Sequence, residues 1–407
     1  MPRLWLGNFD FEHRLADPGR TLSAKLRRLN AELASCWLAS AEDGDAIWTP
    51  EPIPADFWDA MAAAGFARIT PVSDWQPYVD RYELTPWGWT AELLALAHQI
   101  ASQRELPSAE VVRAANSRRW SFARELEWQV GLPHAAGCES LTEVRRAISS
   151  LPERDAAWVI KAEFGMSGRE RILGRGPLTD PAINWIEKRL RADGVVFFEP
   201  WVECVAEAGI LFEVPATGSP ELIGVAEMLP SSNGQYAGSV FVETLGGRGW
   251  SRFGEAPVID RAKTGASLPL VGPAPATPND LWSPAIEVAQ RAAVELQRLG
   301  YIGPLGIDAM WYRTADGELK LRPLQDVNAR WTMGRLALGW RRYFPDPAWG
   351  FWTHDRTWPT GSTIIPHIQS PTGEWLTLNP HVITTSPDSI GDQPARHRTT
   401  LVVHPRG

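Results

Sequence analysis

The segment Leu324-Gln325-Asp326-Val327-Asn328-Ala329-Arg330 sets a carboxylate, an amide oxygen and a guanidinium at alternate positions behind a run of strand-forming residues. Positions two apart on a strand share one face, so Asp326, Asn328 and Arg330 point into the same space. Two hard oxygen ligands suit Mg2+ and a planar guanidinium suits a phosphate, so the face suits a magnesium nucleotide. Taken alone, a D-x-N pattern is equally an edge hairpin with solvated acids.

Upstream, Gly303 to Tyr312 reads as a strand carrying one isolated carboxylate, Asp308, and Thr314-Ala315-Asp316-Gly317 turns it back toward the first segment. A three-residue loop, Ala315-Asp316-Gly317 with Gly317 left-handed, pairs Thr314 with Glu318 and sets Asp308 opposite Leu324. Asp308 then shares a face with Asp326 and Asn328. A two-residue Asp-Gly turn puts Asp308 on the other face unless a bulge intervenes, so register decides the matter.

Two further patterns could serve a nucleotide. Lys161 ends the apolar run Trp158-Val159-Ile160, and Glu163-Phe164-Gly165-Met166-Ser167-Gly168-Arg169 follows, so an ammonium lies beside a loop whose backbone N–H groups can approach phosphate oxygens. A lysine stem snorkelling above an ordinary turn fits the same residues. In Phe197-Phe198-Glu199-Pro200-Trp201-Val202, proline breaks strand pairing and leaves backbone groups able to meet an adenine edge, and Glu207 stands where it could accept ribose hydroxyls. In isolation this too is a kinked strand. Walker G-x-x-x-x-G-K-[ST], G-x-G-x-x-G, H-x-x-x-H and G-x-S-x-G are all absent, which gives serine or zinc hydrolysis no support.

The order of these patterns resembles that of ATP-grasp proteins, over about residues 116–334. Arg118-Arg119 through Gly131-Leu132-Pro133 resembles the family's entry helix, with arginine where lysine is usual. Lys161 resembles the lysine that reaches the ATP phosphates, with Gly165 and Gly168 in the glycine-rich lid. Glu199, Trp201 and Val202 resemble the adenine hinge, and Glu207 the ribose acid, one residue further along than expected. Asp308, Asp326 and Asn328 resemble the Asp, Glu and Asn metal set, with Asp326 in place of Glu, and Arg330 matches an arginine two residues past that asparagine. The resemblance implies an ATP-grasp fold, two α+β subdomains sandwiching ATP behind an N-terminal α/β domain. It also implies ATP and Mg2+ as cofactors and the joining of a small-molecule carboxylate to an amine, an amino acid or short peptide, through an acyl-phosphate. Lys161 and Arg330 would offset charge on the leaving oxygens, and a segment at Asn233–Gly238 would help to close the site, with Tyr236 either touching substrate or filling a turn. A small-molecule kinase and an ATP-binding protein without turnover are the alternatives.

Positioning these residues requires a mixed α/β chain in four parts. Residues 1–107 alternate helices (Leu22, Leu26, Leu29, Leu33, Trp37; Phe57, Trp58, Met61, Phe66) with strands near Ile47 and Ala67–Val72. Residues 108–200 form a smaller subdomain opening on a helix capped by Ser108, and 201–345 a larger one with antiparallel strands at Ile210–Val214, Leu222–Met228 and Ser239–Thr244. Residues 257–281 read as loop. Ser283 caps a helix with Pro284 in its first turn, stopped by Gly300, which leads into the Asp308 strand. Residues 346–407 read as a Pro- and Trp-rich appendage.

The length of 407 residues accommodates this division. A net charge of -8 argues against nucleic acid as partner. Three scattered cysteines indicate neither a disulfide framework nor a zinc site. No window reaches the roughly 18 apolar residues of a membrane span, and the N-terminus lacks a signal-peptide core, so a cytoplasmic protein is expected, with a homodimer compatible. The 21 tryptophans follow no period and are expected in cores.

Overall fold

The computed structural model describes residues 1–99, 105–165, 170–230, 236–241, 278–344, 347–354, 367–369, 375–377 and 381–405. The alternation of the first hundred residues becomes a parallel sheet of β1 (Arg3–Leu6), β2 (Ala46–Trp48), β3 (Thr70–Val72) and β4 (Glu83–Pro86), in the order β3-β2-β1-β4. With it go helices α1 (Phe11–Ala16), α2 (Ala24–Ala34), α3 (Ala55–Ala63) and α4 (Ala91–Gln99). Helix α2 buries Leu26, Leu29 and Leu33, and the Ser23 hydroxyl accepts the Leu26 N–H at 3.3 Å, one of the N-terminal donors left without a helical partner. Trp37, which the spacing places on this helix, instead lies in the tighter 3-10 turn Ser35–Ala39, still buried. Strand β1, central and buried at Leu4, Trp5 and Leu6, has no counterpart in the sequence reading, because four residues are too few to show a period.

A second sheet is antiparallel: β5 (Ala136–Cys138), β6 (Ala157–Lys161), β7 (Arg171–Arg175) and β8 (Val196–Pro200), ordered β5-β8-β6-β7. It follows α5 (Ala109–Ala115) and α6 (Arg118–Trp128), whose Ser108 and Ser117 caps accept the Val111 and Arg119 N–H groups. Its core joins Ile160 and Phe198 to Val144 of α7 (Leu141–Ser149) and Ile186 of α8 (Asp180–Asp193).

The third sheet has eight strands in the order β13-β12-β9-β10-β11-β14-β20-β17. These are β9 (Glu203–Val214), β10 (Glu221–Pro230), β11 (Tyr236–Phe241), β12 (Gly303–Arg313), β13 (Leu319–Asn328), β14 (Pro347–Thr353), β17 (His381–Thr384) and β20 (Thr400–Pro405). The pairs β15 (His367–Gln369) with β16 (Trp375–Thr377) and β18 (Ser389–Ile390) with β19 (Gln393–Pro394) stand outside it. The tail expected as an appendage thus enters the large sheet through β14, β17 and β20. Helix α9 (Pro278–Arg298) covers one face with Ala285, Ala289, Ala292, Ala293 and Leu296. It begins before the expected Ser283 cap, so Pro284 lies inside it, where its missing N–H and ring cost one early backbone bond. The expected loop over 257–281 lies outside the described residues as far as 277.

One buried cluster runs from Leu4, Trp5 and Trp37 of the N-terminal unit to Leu336 and Trp340 near α10 (Met333–Gly339), and on to Trp352, Leu401 and Val403 of the large sheet. Trp5, Trp37, Trp158, Trp282, Trp340 and Trp352 are all fully buried, as the core role of tryptophan anticipates. A close backbone approach in this seam is at Gly339, where a Cβ would lie 2.5 Å from the Ala39 carbonyl oxygen. Because that obstacle is backbone, Gly339→Ala should force α10 off the 35–39 turn at a cost of about 1–3 kcal/mol. A lower denaturant midpoint would register it; an unchanged midpoint would show that the seam relaxes freely.

Candidate functional site

The hairpin of β12 and β13 turns through the three-residue loop: Gly317 has φ +88°, its N–H donates to the Thr314 carbonyl, and the Thr314 N–H donates to the Glu318 carbonyl. Pairing runs Arg313 with Leu319 to Met310 with Arg322, then shifts, so that Asp308 faces Asp326 and not Leu324. Three residues, Pro323 to Gln325, oppose the single Ala309, a bulge placed at the proline that has no N–H for the ladder. Two extra residues preserve parity. Asp308, Asp326 and Asn328 therefore share a face as expected, while Leu324 turns into the core with Leu305, Ile307 and Ala309.

Asn328 Nδ2 donates to Asp308 Oδ2 at 3.1 Å. Burial, then the charges of Asp326 and Glu207, push the Asp308 carboxyl up to about 7. Glu207, across from Met310 on β9, accepts a hydrogen bond from Gln325 Nε2 at 3.0 Å, so three acids and two amides gather here. Among the described residues no three His, Cys, Asp or Glu side chains form a ready metal cluster.

Of the two entry-helix arginines only one faces this group. Arg118 NH2 lies 3.1 Å from Asp326 Oδ2 and its Nε donates to the Ala162 carbonyl, whereas Arg119 turns to Glu163 and to the Asp193 carbonyl. Lys161 Nζ lies 2.6 Å from Glu199 Oε2. Both oxygens of Glu199 also accept from Arg322, at 2.9 and 3.0 Å, and Arg322 grips both oxygens of Glu125 at 2.6 and 2.9 Å. Burial alone would raise the Glu199 carboxyl, but Arg322 and Lys161 hold it well below the usual carboxylate range. Desolvation pulls the Lys161 ammonium down, against the opposing charge of Glu199.

In the segment expected to meet adenine, the Trp201 N–H donates to the Ala157 carbonyl, while the Val202 N–H makes no backbone hydrogen bond among the described residues. The Trp201 ring is 43% exposed with the Arg171 guanidinium 5.6 Å from its centroid. Arg330 departs most from its expected part. It contacts Glu12 Oε1 through Nε (2.5 Å) and NH2, donates to Asn328 Oδ1 and to the Trp331 carbonyl, and stacks 5.1 Å from Trp87, so it fastens the N-terminal unit to the acidic strand. Tyr236 is tied to Ser239 Oγ at 3.0 Å and set edge-on to His354. Gly165 is half-buried; Gly168 and Asn233–Gln235 lie outside the described residues.

Sequence reasoning passes over Glu12, Glu125, Arg171, Arg322 and Gln325. A signal existed for two of them. Arg322 is a lone charge between Leu321 and Pro323-Leu324, and Glu125 follows Arg118 by seven residues, two helical turns along the same face.

No family model matches the chain, and no curated protein does. Among solved structures, 403 chains match. The chain is similar to N5-carboxyaminoimidazole ribonucleotide synthetase from Thermus thermophilus, at 12% identity over 100% of this chain and 94% of that one, TM-score 0.49. It is similar to a biotin carboxylase complex from Campylobacter jejuni at 11% identity over 98% and 87%, TM-score 0.46. D-cycloserine synthetase DcsG matches at 19% over 70% and 91%, TM-score 0.40. With every one of these TM-scores below 0.5, the likenesses decide neither activity nor ligand.

The raised Asp308 carboxyl has a pH consequence. Native Asp308 keeps its proton up to about pH 7, whereas an unfolded aspartic acid loses it near pH 3.9. The native state thus holds more protons between those values, so this group's contribution to stability is full below about pH 4 and is lost as pH rises through about 7. In buffer containing EDTA, Asp308→Asn should remove that decline and melt above wild type at pH 8; parallel pH profiles of the two proteins would contradict it.

Proposed function

We propose that this protein is an ATP-dependent, Mg2+-requiring ligase that joins a small carboxylate to an amine through an acyl-phosphate. The carrying observation is the convergence of Asp308, Asp326 and Asn328 on one face with Arg118 against that face. The donor set fits the cation: it offers oxygens, as Mg2+ prefers, and burial together with the charges of Asp326 and Glu207 makes an ionised Asp308 costly until a cation joins it. Asp308, Asp326 and Asn328 would hold Mg2+, which when bound supplies charge neutralisation for the phosphates of the nucleotide.

The chain's own groups then divide the work. Arg118 and Lys161 present cations to phosphate oxygens, with Lys161 oriented by Glu199. Trp201 and the Val202 N–H receive the base, and Glu207 the ribose hydroxyls. Arg119, engaged with Glu163 and Asp193, is left out. Arg330 acts through Glu12 to bring the unit of residues 1–107 to the site, where it shapes the acceptor pocket. The reaction needs such a site because a carboxylate resists amine attack until one oxygen becomes a better leaving group. Its oxygen attacks the γ-phosphorus and ADP leaves; the amine nitrogen then attacks the acyl carbon and phosphate departs with that oxygen.

Millimolar ATP with Mg2+ should raise the thermal midpoint of the wild type, since ligand at 100 times its Kd stabilises by about 2.7 kcal/mol. Asp308→Asn and Lys161→Met should lose the shift while Arg119→Ala keeps it. ADP release across a panel of amino acids and short peptides should follow the same ranking. A wild type that ATP and Mg2+ do not stabilise would end this reading.

A further inference from the structure

The cations expected to face phosphate come from separate elements, Arg118 from the start of α6 and Lys161 from the end of β6, while the oxygen ligands come from β12 and β13. One side chain touches the supports of all of them. Arg322, on β13 four residues before Asp326, is 2% exposed and donates four hydrogen bonds, two to Glu125 and two to Glu199. Glu125 lies two turns along α6 from Arg118, and Glu199 ends β8 beside β6 with Lys161 on one of its oxygens. Glu125 and Glu199 are 3% and 4% exposed, and with Arg322 and the partly exposed Lys161 they make a set of two positive and two negative charges. Hydrophobic side chains of similar volume would often stabilise such a place as well or better, so stability alone is a weak reason for it. What apolar packing cannot supply is direction: a planar fork gripping two carboxylates fixes both rotamers, and through Glu199 the position of the Lys161 ammonium.

We propose that Arg322 is the positioning residue of the nucleotide site, holding Arg118 and Lys161 in register with Asp308, Asp326 and Asn328 without itself touching the nucleotide. This rests on the ATP-binding reading above, and the test separates the two. The double variant Glu125→Leu with Arg322→Met removes one charge of each sign and leaves Lys161 and Glu199 as a balanced pair, so it should fold. Arg322→Lys keeps the charge and loses the fork. Calorimetric titration with a nonhydrolysable ATP analogue and Mg2+ should give a Kd weaker by at least about tenfold in both, the scale on which supporting shells act, with circular dichroism and melting cooperativity as in wild type. Wild-type affinity in either folded variant would overturn the proposal.

A second readout needs no nucleotide. Acetic anhydride labelling of Lys161 in the ligand-free protein, followed by peptide mass spectrometry, should run severalfold faster once Arg322 no longer fixes Glu199. An unchanged labelling rate would overturn the positioning role even if the wild type bound no ATP, whereas faster labelling without ATP binding would retire the ligase reading and leave Arg322 as the residue that fixes Lys161.

Discussion

Two aspartates directly opposite one another on neighbouring strands constitute the constraint around which this molecule is arranged. Like charges so placed destabilise a sheet, and the Asp308–Asp326 pair is made worse by Glu207 nearby. The surroundings answer with an amide from Asn328 on one acid and the Arg118 guanidinium on the other. Those responses explain much of the architecture. Arg118 ties the start of α6 to the large sheet, and the bulge at Pro323 is what brings Asp326, not Leu324, opposite Asp308.

The N-terminal unit is joined to this arrangement by chemistry as well as by packing. Arg330 reaches from just beyond β13 to Glu12 and stacks on Trp87, both from the first hundred residues, while still bonding Asn328. Any displacement of the N-terminal unit is therefore felt at the amide that supports Asp308. The adjoining core, with Trp5, Trp37 and Trp331 packed ring against ring, gives that connection a rigid base.

Local chemistry was readable where it depended on neighbours in sequence. The Asp316-Gly317 turn, the Ser108 cap and the Lys161 strand each follow from a few adjacent residues, and the face shared by Asp308, Asp326 and Asn328 follows from the turn plus alternation. The partner across from Asp308 did not, because alternation fixes parity and is blind to a two-residue shift; Pro323 was the available hint. What Arg322 would bind was invisible for a different reason. Its partners stand at 125 and 199, and no local period links a β13 guanidinium to carboxylates so distant. Arg330 illustrates the converse: its type and spacing suggested phosphate, yet Glu12, more than three hundred residues earlier, had first claim on it.

Strand β20 lies between β14 and β17, and among the described residues β17 pairs with β20 alone. Leu401 and Val403 of β20 belong to the same buried cluster as Leu4 and Trp5. During synthesis the opening strands must therefore wait for residues near 400 to leave the ribosome before their hydrophobic surroundings are complete. Contacts of such long sequence separation make assembly slow and leave nascent apolar surface uncovered meanwhile, so this chain should lean on chaperones while it is being made.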